Sequence, residues 1–236
     1  MRRLLEGKAG AIVGASSGIG AAAAKLFAEE GARVVLVARR RDRLDGLAAQ
    51  IVDSGGDAVA VRADITAAGS HDRIVAETLA RFGRFDFAFN NAGTIGNFVP
   101  MLDQSEEDWD RTLAVNLKSV WMSVRAQAAA MIERGGGAIV NTSSWLSVGA
   151  LPGSTSYSAS KAGMDGLLRA AALELAPHGI RINNVNPGGI ETAMTREALG
   201  HDTELIAAFG RAHPLGRLGS PREAAELAAA GDRFGR

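Results

Sequence analysis

The sequence contains no cysteine, which excludes disulfide bonds, thiolate catalysis and metal sites built on cysteine. Its 26 basic and 26 acidic residues leave a formal net charge of zero, so no nucleic-acid or acidic membrane partner is indicated. No apolar run is long enough to span a membrane, and the segment MRRLLEGKAGAIV lacks the apolar core of a signal peptide. We therefore expect a cytoplasmic protein. No metal is expected, because the histidines are not spaced as ligands: His71, His178, His201 and His213.

The remaining composition, 47% hydrophobic and 22% charged, is that of an ordinary globular protein. A length of 236 residues without repeats, low-complexity tracts or linkers predicts a single domain over residues 1–236. Short apolar segments alternate with segments of helical period. The strands are predicted at residues 9–13, 33–38, 58–62, 85–89, 137–142 and 180–186. This alternation predicts an α/β fold, a doubly wound parallel sheet with helices on both faces.

A glycine-rich turn, GASSGIG, follows the first strand and opens a helix. This is the context of a dinucleotide-binding turn, in which glycines let the backbone approach a pyrophosphate at a helix N-terminus. The alternative is a turn that serves only close packing of helix on strand. The residues predicted to bind the cofactor here are Gly14, Ser16, Ser17, Gly18, Ile19 and Gly20.

The end of the second strand indicates which dinucleotide binds. An acidic residue that would bind the adenosine 2′-hydroxyl of NAD is absent, and Ala38 is followed by three arginines. Arg39 can pair bidentately with a 2′-phosphate, so the sequence favours NADP(H) over NAD(H). The alternative is that the arginines begin the next helix, and we expect at least one of them to do so.

Two further strand ends are predicted to reach the nucleotide. Asp64, followed by Ile65, can accept a hydrogen bond from an adenine amino group, or instead form a turn or helix cap. Asn91, Ala92 and Gly93 end the fourth strand, where small residues allow a ribose to approach. A plain turn would use similar residues.

Tyr157 and Lys161 are four residues apart at the start of a predicted helix that ends near residue 177, so they share one face. We expect the lysine ammonium to lower the pKa of the phenol, which would suit the tyrosine for general acid–base catalysis. Ser144, thirteen residues upstream, would then hydrogen-bond the reacting oxygen. The alternative is a solvated Tyr–Lys pair. A further long helix is predicted from a capping box at residues 105–108 to about residue 134.

These motifs together resemble the short-chain dehydrogenase/reductase family. The matching pieces are GASSGIG, NNAG, Asn116 in AVNLKSVW, the Ser144, Tyr157 and Lys161 set, and NPGGIET at residues 186–192, and they span about residues 9–230. The resemblance implies a Rossmann-like fold and an NAD(P)(H)-dependent oxidoreductase acting on a carbonyl or alcohol. It also implies a homo-oligomer, a tetramer or a dimer.

The resemblance further implies a role for each catalytic residue. Tyr157 protonates the carbonyl oxygen or deprotonates the alcohol, and Lys161 lowers the pKa of the tyrosine and binds the nicotinamide ribose. Ser144 orients the substrate oxygen. Asn116 bends its helix and holds a water of a proton relay through the lysine. The last predicted cofactor contacts are Pro187 and Gly188 against the nicotinamide, with Ile190 and Thr192 on its carboxamide.

Specificity is expected from residues 94–101, 145–152 and 193–214, the last resembling a lid that closes over substrate. Their apolar residues predict a mostly apolar pocket, although Trp145 is equally well explained as core packing. The predicted substrate contacts are Ser144, Trp145, Leu151, Tyr157 and Met194. A small-molecule substrate is expected, but a ketoacyl-type reductase and a sugar or diol dehydrogenase are not separated. A non-catalytic nucleotide-binding relative and a lyase or epimerase using the same tyrosine are the alternatives from other classes.

The sequence departs from the family pattern in three places. Val13 stands where the family usually has threonine, and Ser17 where many NADP-preferring relatives have a basic residue. After PREAAELAAA the sequence reads GDRFGR, without the apolar residues of a seventh strand. We therefore expect the strand at 180–186 to be unpaired on one side, with reduced stability or altered oligomerisation relative to a full-length relative. The alternative is that the six residues form a short irregular cover over this edge.

Overall fold

The computed structural model describes residues 3–231, in which six parallel strands form one sheet. The strands are β1 Ala9–Val13, β2 Arg33–Ala38, β3 Asp57–Arg62, β4 Phe87–Asn90, β5 Gly137–Thr142 and β6 Ile180–Val185. Their order is β3-β2-β1-β4-β5-β6, so the chain reverses its direction of travel across the sheet between β1 and β4. This is the doubly wound, Rossmann-like arrangement that the sequence predicts, and its ligand crevice lies beyond the carboxyl ends of the strands at the reversal.

Helices cover both faces of the sheet. They are α1 Gly18–Glu29, α2 Arg41–Asp53, α3 Ser70–Phe82, α4 Glu106–Leu113, α5 Ser119–Ile132, α6 Thr155–Leu175, α7 Ala193–Ala198, α8 Thr203–Arg211 and α9 Pro221–Gly231. Alternate residues of the central strands serve opposite layers: Val35 packs in the cluster with Val124 of α5, whereas Leu36 packs in the cluster with Phe27 of α1. Both faces of β2 are therefore apolar, as the continuous apolar run in its sequence indicates.

The predicted helix from residue 105 to residue 134 is wrong in one respect, because it is not continuous. Ser105 caps its start as expected, accepting a hydrogen bond of 3.2 Å from the amide of Asp108. Between α4 and α5, however, residues Ala114–Lys118 form a π-helical turn around the fully buried Asn116. A π-turn carries one extra residue, and such turns are frequent at functional sites. Here it directs the Asn116 amide toward the crevice.

The strand boundaries differ slightly from prediction. β4 begins at Phe87 rather than residue 85, and β6 ends at Val185 rather than residue 186. Within residues 3–231 the sheet ends at β6, and Arg181 of that strand donates a 2.7 Å hydrogen bond to the carbonyl of Gly231 at the end of α9. The rest of the GDRFGR segment, where a seventh strand is expected to be missing, lies outside the described residues. In the described part of the chain, none of the helices has both the length and the apolar character needed to cross a membrane.

We predict that His71 makes the stability of the fold depend on pH. Its Nε2 lies 2.9 Å from the Ile65 carbonyl oxygen and its Nδ1 lies 2.9 Å from Ser123 Oγ. Burial lowers the pKa of this imidazole, against the opposing effects of the Ile65 carbonyl and Asp72. The unfolded chain therefore binds more protons, and the free energy of unfolding decreases as the pH falls below about 6.5, the ordinary histidine value.

Thermal unfolding of the wild type and His71→Gln between pH 7.5 and 5.5 tests this. The variant should lose less stability than the wild type over that interval. His178→Gln is the matched control, the same replacement made at an exposed histidine. Equal pH dependence in the wild type and His71→Gln would contradict the prediction.

Candidate active site

One cavity of about 950 Å³ opens at the carboxyl ends of the strands. That volume is in the range of cofactor and ligand sites. Two predicted site residues, Gly20 and Asn116, lie behind its wall rather than on it. All the others line the cavity: Gly14, Ser16, Ser17, Gly18, Ile19, Arg39, Asp64, Ile65, Asn91, Ala92, Gly93, Ser144, Trp145, Leu151, Tyr157, Lys161, Pro187, Gly188, Ile190, Thr192 and Met194.

The glycine-rich turn has the shape that close approach to a phosphate requires. Gly14 has φ of +90°, and a Cβ there would lie 2.6 Å from the amide nitrogen of Ala92. A Cβ on Gly20 would lie 2.2 Å from the carbonyl oxygen of Gly14, so Gly20 serves the packing of α1 on the turn. Gly18, also at positive φ, lies on the cavity wall beside Thr192. The backbone between Gly14 and Gly18 therefore lies at the cavity with only the small Ser16 and Ser17 side chains beside it, which fits a pyrophosphate.

The three consecutive arginines divide into two groups. Arg39 and Arg40 line the cavity, and the Arg40 guanidinium donates 2.9 Å hydrogen bonds to the hydroxyls of Ser16 and Ser17. Arg41 begins α2 and pairs with Asp45 at 2.8 Å. Sequence reasoning selected Arg39 and missed Arg40, whose position depends on the turn between β2 and α2.

Asp64 forms the turn that the sequence allows and also faces the cavity, while its contact with adenine stays a prediction. Its Oδ1 accepts hydrogen bonds from the amide and the hydroxyl of Thr66, at 2.9 and 2.8 Å, and the residue also lines the cavity. The hydrogen bonds from Thr66 lower the pKa of Asp64, and Arg39 adds to this effect against the opposing effect of burial. A charged acceptor therefore faces the nucleotide end of the cavity.

The carboxyl end of β4 is fixed by amide side chains. Asn91 accepts a 3.0 Å hydrogen bond from the Thr142 hydroxyl and donates one of 3.4 Å to the carbonyl of Gly14. Beneath it, the buried Asn90 exchanges hydrogen bonds with Gln127 and donates to Asn141 on β5. Sequence reasoning missed this buried network, which joins β4, β5 and α5 directly under the site.

Ser144, Tyr157 and Lys161 meet in the middle of the cavity. Ser144 follows β5, and its hydroxyl is near enough to Tyr157 to lower the pKa of the phenol. Lys161, only 3% exposed, donates a 2.7 Å hydrogen bond to the carbonyl of Thr142 at the end of β5. Its Nζ lies 5.7 Å from the centre of the Tyr157 ring. The spacing of four residues on α6 brings both side chains to the cavity, as predicted.

The protonation of this group differs from the sequence expectation. Burial raises the pKa of Tyr157, and the opposing influence comes from the Ser144 hydroxyl rather than from Lys161. Burial also lowers the pKa of Lys161 to about 8, against the opposing charge of Asp165. The reason is geometric, because the lysine amine is directed at the Thr142 carbonyl and not at the phenol. Desolvation outweighs the lysine charge at the tyrosine.

Asn116 connects the π-turn to the catalytic helix. Its Nδ2 donates to the carbonyl of Thr94 at 2.8 Å and to the Ser160 hydroxyl at 3.0 Å, and its Oδ1 accepts from the Thr94 amide at 2.9 Å. These contacts fix the loop after β4 against the residue that precedes Lys161. The water relay implied for Asn116 stays a prediction.

The other half of the cavity is apolar and comes from the three predicted stretches. Its apolar lining residues are Ile95, Phe98, Trp145, Leu146, Leu151, Met194, Leu199 and Phe209. Trp145 serves both roles proposed for it, because it lines the cavity and also packs so closely on Gly149 that a Cβ there would lie 2.6 Å from its ring. Arg111 brings a cation to this end, and its guanidinium donates 2.6 Å to the buried carboxylate of Asp108.

His213 links the 193–214 segment to the loop after β6, and sequence reasoning missed it. Its Nε2 accepts a 2.8 Å hydrogen bond from the amide of Gly189, and its Nδ1 lies 2.8 Å from the carbonyl oxygen of Phe209. These partners require a neutral imidazole with its proton on Nδ1. The tie fixes the loop that contains Pro187 and Gly188.

Known proteins share this sequence pattern and this fold. The family model described as enoyl-(acyl carrier protein) reductase matches residues 14–230. The 2,5-dichloro-2,5-cyclohexadiene-1,4-diol dehydrogenase LinX of Sphingobium indicum is 36% identical over 227 residues, which cover 94% of this chain and 87% of the relative. The cyclohexanol dehydrogenase of an Acinetobacter species is 37% identical over 229 residues, which cover 97% of this chain and 89% of the relative. A solved structure of 7α-hydroxysteroid dehydrogenase complexed with NADH and 7-oxo glycochenodeoxycholic acid matches with a TM-score of 0.92 at 31% identity, covering 98% and 89%.

We predict that the phenol of Tyr157 titrates above pH 10 in the protein without bound nucleotide, because burial raises its pKa. The sequence has one tyrosine, so the tyrosinate absorbance near 295 nm reports this residue alone. Ser144→Ala should raise the midpoint further, since it removes the hydrogen bond that lowers the pKa. Ser158→Ala is the control, because that hydroxyl pairs with Ser154. A midpoint below 10, or no change in Ser144→Ala, would count against the assignment.

Proposed function

The chain belongs to the short-chain dehydrogenase/reductase family, whose members bind nicotinamide cofactors, and from this premise we propose that it is an NADP(H)-dependent oxidoreductase. Its proposed substrate is an uncharged, apolar cyclic ketone or the corresponding secondary alcohol. The observation that carries the proposal is that Ser144, Tyr157 and Lys161 meet between the nucleotide end and the apolar end of one cavity. The names of two relatives, a cyclohexadienediol dehydrogenase and a cyclohexanol dehydrogenase, support a cyclic alcohol.

In the proposed reduction, Tyr157 donates its phenolic proton to the carbonyl oxygen of the substrate, and in the oxidation it removes the proton of the alcohol. Ser144, which lines the cavity with the tyrosine, donates to the same oxygen and stabilises its developing charge. The bound nicotinamide supplies or accepts the hydride. Asn116 fixes the loop after β4 beside Lys161 and, by the family resemblance, holds the water that returns a proton to the tyrosine.

The residues of the cavity fit a dinucleotide. The backbone of residues 14–18 would hold the pyrophosphate, and Asp64 would accept from the adenine amino group. Lys161 would bind the nicotinamide ribose, and the loop from Pro187 to Thr192 would hold the nicotinamide. Arg39 and Arg40, at the end of β2 beside two serine hydroxyls, support a 2′-phosphate at this position and hence NADP(H).

The apolar end of the cavity supports the proposed substrate class. Its described lining residues include one cation, Arg111, and this cation is already paired with Asp108. A phosphorylated or carboxylate substrate would therefore find little unpaired positive charge to bind. We further propose that residues 193–214 act as a lid over this end. Met194 and Phe209 of that segment line the cavity, and His213 connects it to the loop after β6.

We predict that Tyr157→Phe lowers kcat for ketone reduction by about 10²- to 10⁴-fold, the usual contribution of a general acid. Cofactor affinity should change little, because the variant removes one hydroxyl and keeps the ring. The measurement is NADPH absorbance against a panel of cyclic ketones, aldehydes and charged keto acids, with the cofactor Kd measured by fluorescence. Wild-type protein that consumes no NADPH with any carbonyl would contradict the proposed function and favour a lyase or a nucleotide sensor.

We predict that Arg39→Ala and Arg40→Ala each raise the KM for NADPH by about 10- to 100-fold, the range for one hydrogen bond to a charged group. The KM for NADH should change much less, because NADH has no 2′-phosphate. Arg41→Ala is the matched control, since Arg41 is paired with Asp45 on the outside of α2. Equal losses with NADPH and NADH in both variants would contradict recognition of the phosphate.

A further inference from the structure

Asp165 lies on the same face of α6 as the two catalytic side chains. It follows Lys161 by four residues and Tyr157 by eight, so the three are stacked at successive turns of one helix. The proposed function gives a role to the first two and none to the third. Within the described residues, Asp165 is nevertheless the acidic group whose charge acts on Lys161.

The Asp165 carboxylate also ties α6 to the strand end beside the site. Its Oδ1 accepts a 2.6 Å hydrogen bond from Asn184 of β6, and its Oδ2 accepts a 3.1 Å hydrogen bond from Asn186. Asn186 in turn donates 3.2 Å to the carbonyl of Ser144 and 3.1 Å to the Ser147 hydroxyl. The residue after Asn186 is Pro187, where the loop proposed to hold the nicotinamide begins. One carboxylate thus connects the catalytic helix to both loops of the site.

Asp165 itself is held in its charged form. Burial acts to raise its pKa, but hydrogen bonds outweigh this effect and keep the pKa below its ordinary value. The side chains of Ser147 and Ser143 lie near enough to lower the pKa, as do Asn184 and Asn186, and the two asparagines donate hydrogen bonds of 2.6 and 3.1 Å to the carboxylate. A carboxylate can accept from several donors at once, whereas an asparagine amide in the same place would direct its own N–H groups at two asparagine amides.

Lys161 is a buried amine, and a negative charge close to it stabilises its protonated form. Its Nζ faces the neutral Thr142 carbonyl of β5, and both it and the neutral Asn116 amide of the π-turn lie beside Gly93. The titratable groups that face it from its own helix are Tyr157 and Asp165. Burial favours the uncharged amine and lowers the pKa to about 8, and Asp165 opposes that change.

We propose that Asp165 is a positioning residue of the catalytic group: its carboxylate keeps Lys161 protonated at neutral pH and fixes the loops of Ser144 and Pro187 through Asn186. This inference rests on the proposed function only in giving Lys161 a role in turnover. The charge on Lys161 and the anchoring of the loops can be measured whether or not the protein reduces a carbonyl.

The first test measures the lysine directly. The sequence has four lysines, Lys8, Lys25, Lys118 and Lys161, and the last is the buried one. Carbon-13 NMR of protein labelled at the lysine ε-carbon, with Lys161→Met to assign the signal, follows its titration. We expect a midpoint near the value of about 8 given by burial and Asp165 in the wild type. In Asp165→Asn the midpoint should fall by about one pH unit, the effect expected of one charge a helical turn away in a partly solvated site.

The second test is the pH profile of turnover. The alkaline limb of the kcat profile should move to lower pH in Asp165→Asn, because Lys161 then loses its proton at a lower pH. The size of this move should equal the shift of the lysine midpoint measured by NMR. Asp165→Glu should restore the limb. Asn186→Ala keeps the charge and removes the tie to the loops, so it should lower kcat without moving the limb.

The controls separate a catalytic from a structural role. Glu174→Gln removes an exposed charge further along the same helix and should move neither the NMR midpoint nor the limb. Asp165→Ser, a smaller neutral replacement, takes the place of Asp165→Asn if that variant unfolds. An unchanged Lys161 midpoint in the neutral variants would overturn the inference, even if kcat falls. A wild type that reduces no carbonyl would overturn the proposed function and leave the NMR test intact.

Discussion

The site depends on one electrostatic constraint, the burial of the Lys161 ammonium. A charged amine loses its solvation when it is 3% exposed, and protein groups must replace the missing water. The replacements come from separate parts of the fold: the carbonyl of Thr142 at the end of β5, and a carboxylate on the next turn of α6. The position of α6 against the sheet is therefore also the position at which the lysine can remain charged. The contacts that hold α6 on the sheet at this point are thus also the contacts that stabilise the charged amine.

A second constraint lies at the reversal of the sheet, where β1 and β4 are adjacent. The backbones after these strands approach so closely that Gly14 has no room for a side chain beside Ala92. Polar side chains then align β4 with β5, because the buried Asn90 donates a hydrogen bond to the buried Asn141 beside it. A buried amide pair is favourable only when its bonds are complete, so it specifies one register of the strands. That register sets the distance between the glycine-rich turn and Ser144.

Features that depend on local sequence were predictable, and those that depend on distant contacts were not. The glycine-rich turn and the spacing of Tyr157 and Lys161 are local patterns, and both lead to the cavity. The family resemblance implied a bend at Asn116, but residue pattern alone predicted a continuous helix, because the π-turn depends on bonds from Asn116 to Thr94 and Ser160, across the site. The raised pKa of Tyr157 was missed for a similar reason, since spacing along a helix does not tell how deeply the phenol is buried.

The imidazole of His213 has a mechanical consequence for selectivity. It joins the residue after Gly188 to the last turn of α8, with both ring nitrogens engaged. A bulky molecule in the cavity that displaced α8 would have to move Gly189 as well or break the hydrogen bond between Gly189 and His213. Through His213, the size of the molecule admitted at the apolar end would therefore be coupled to the loop proposed to hold the nicotinamide.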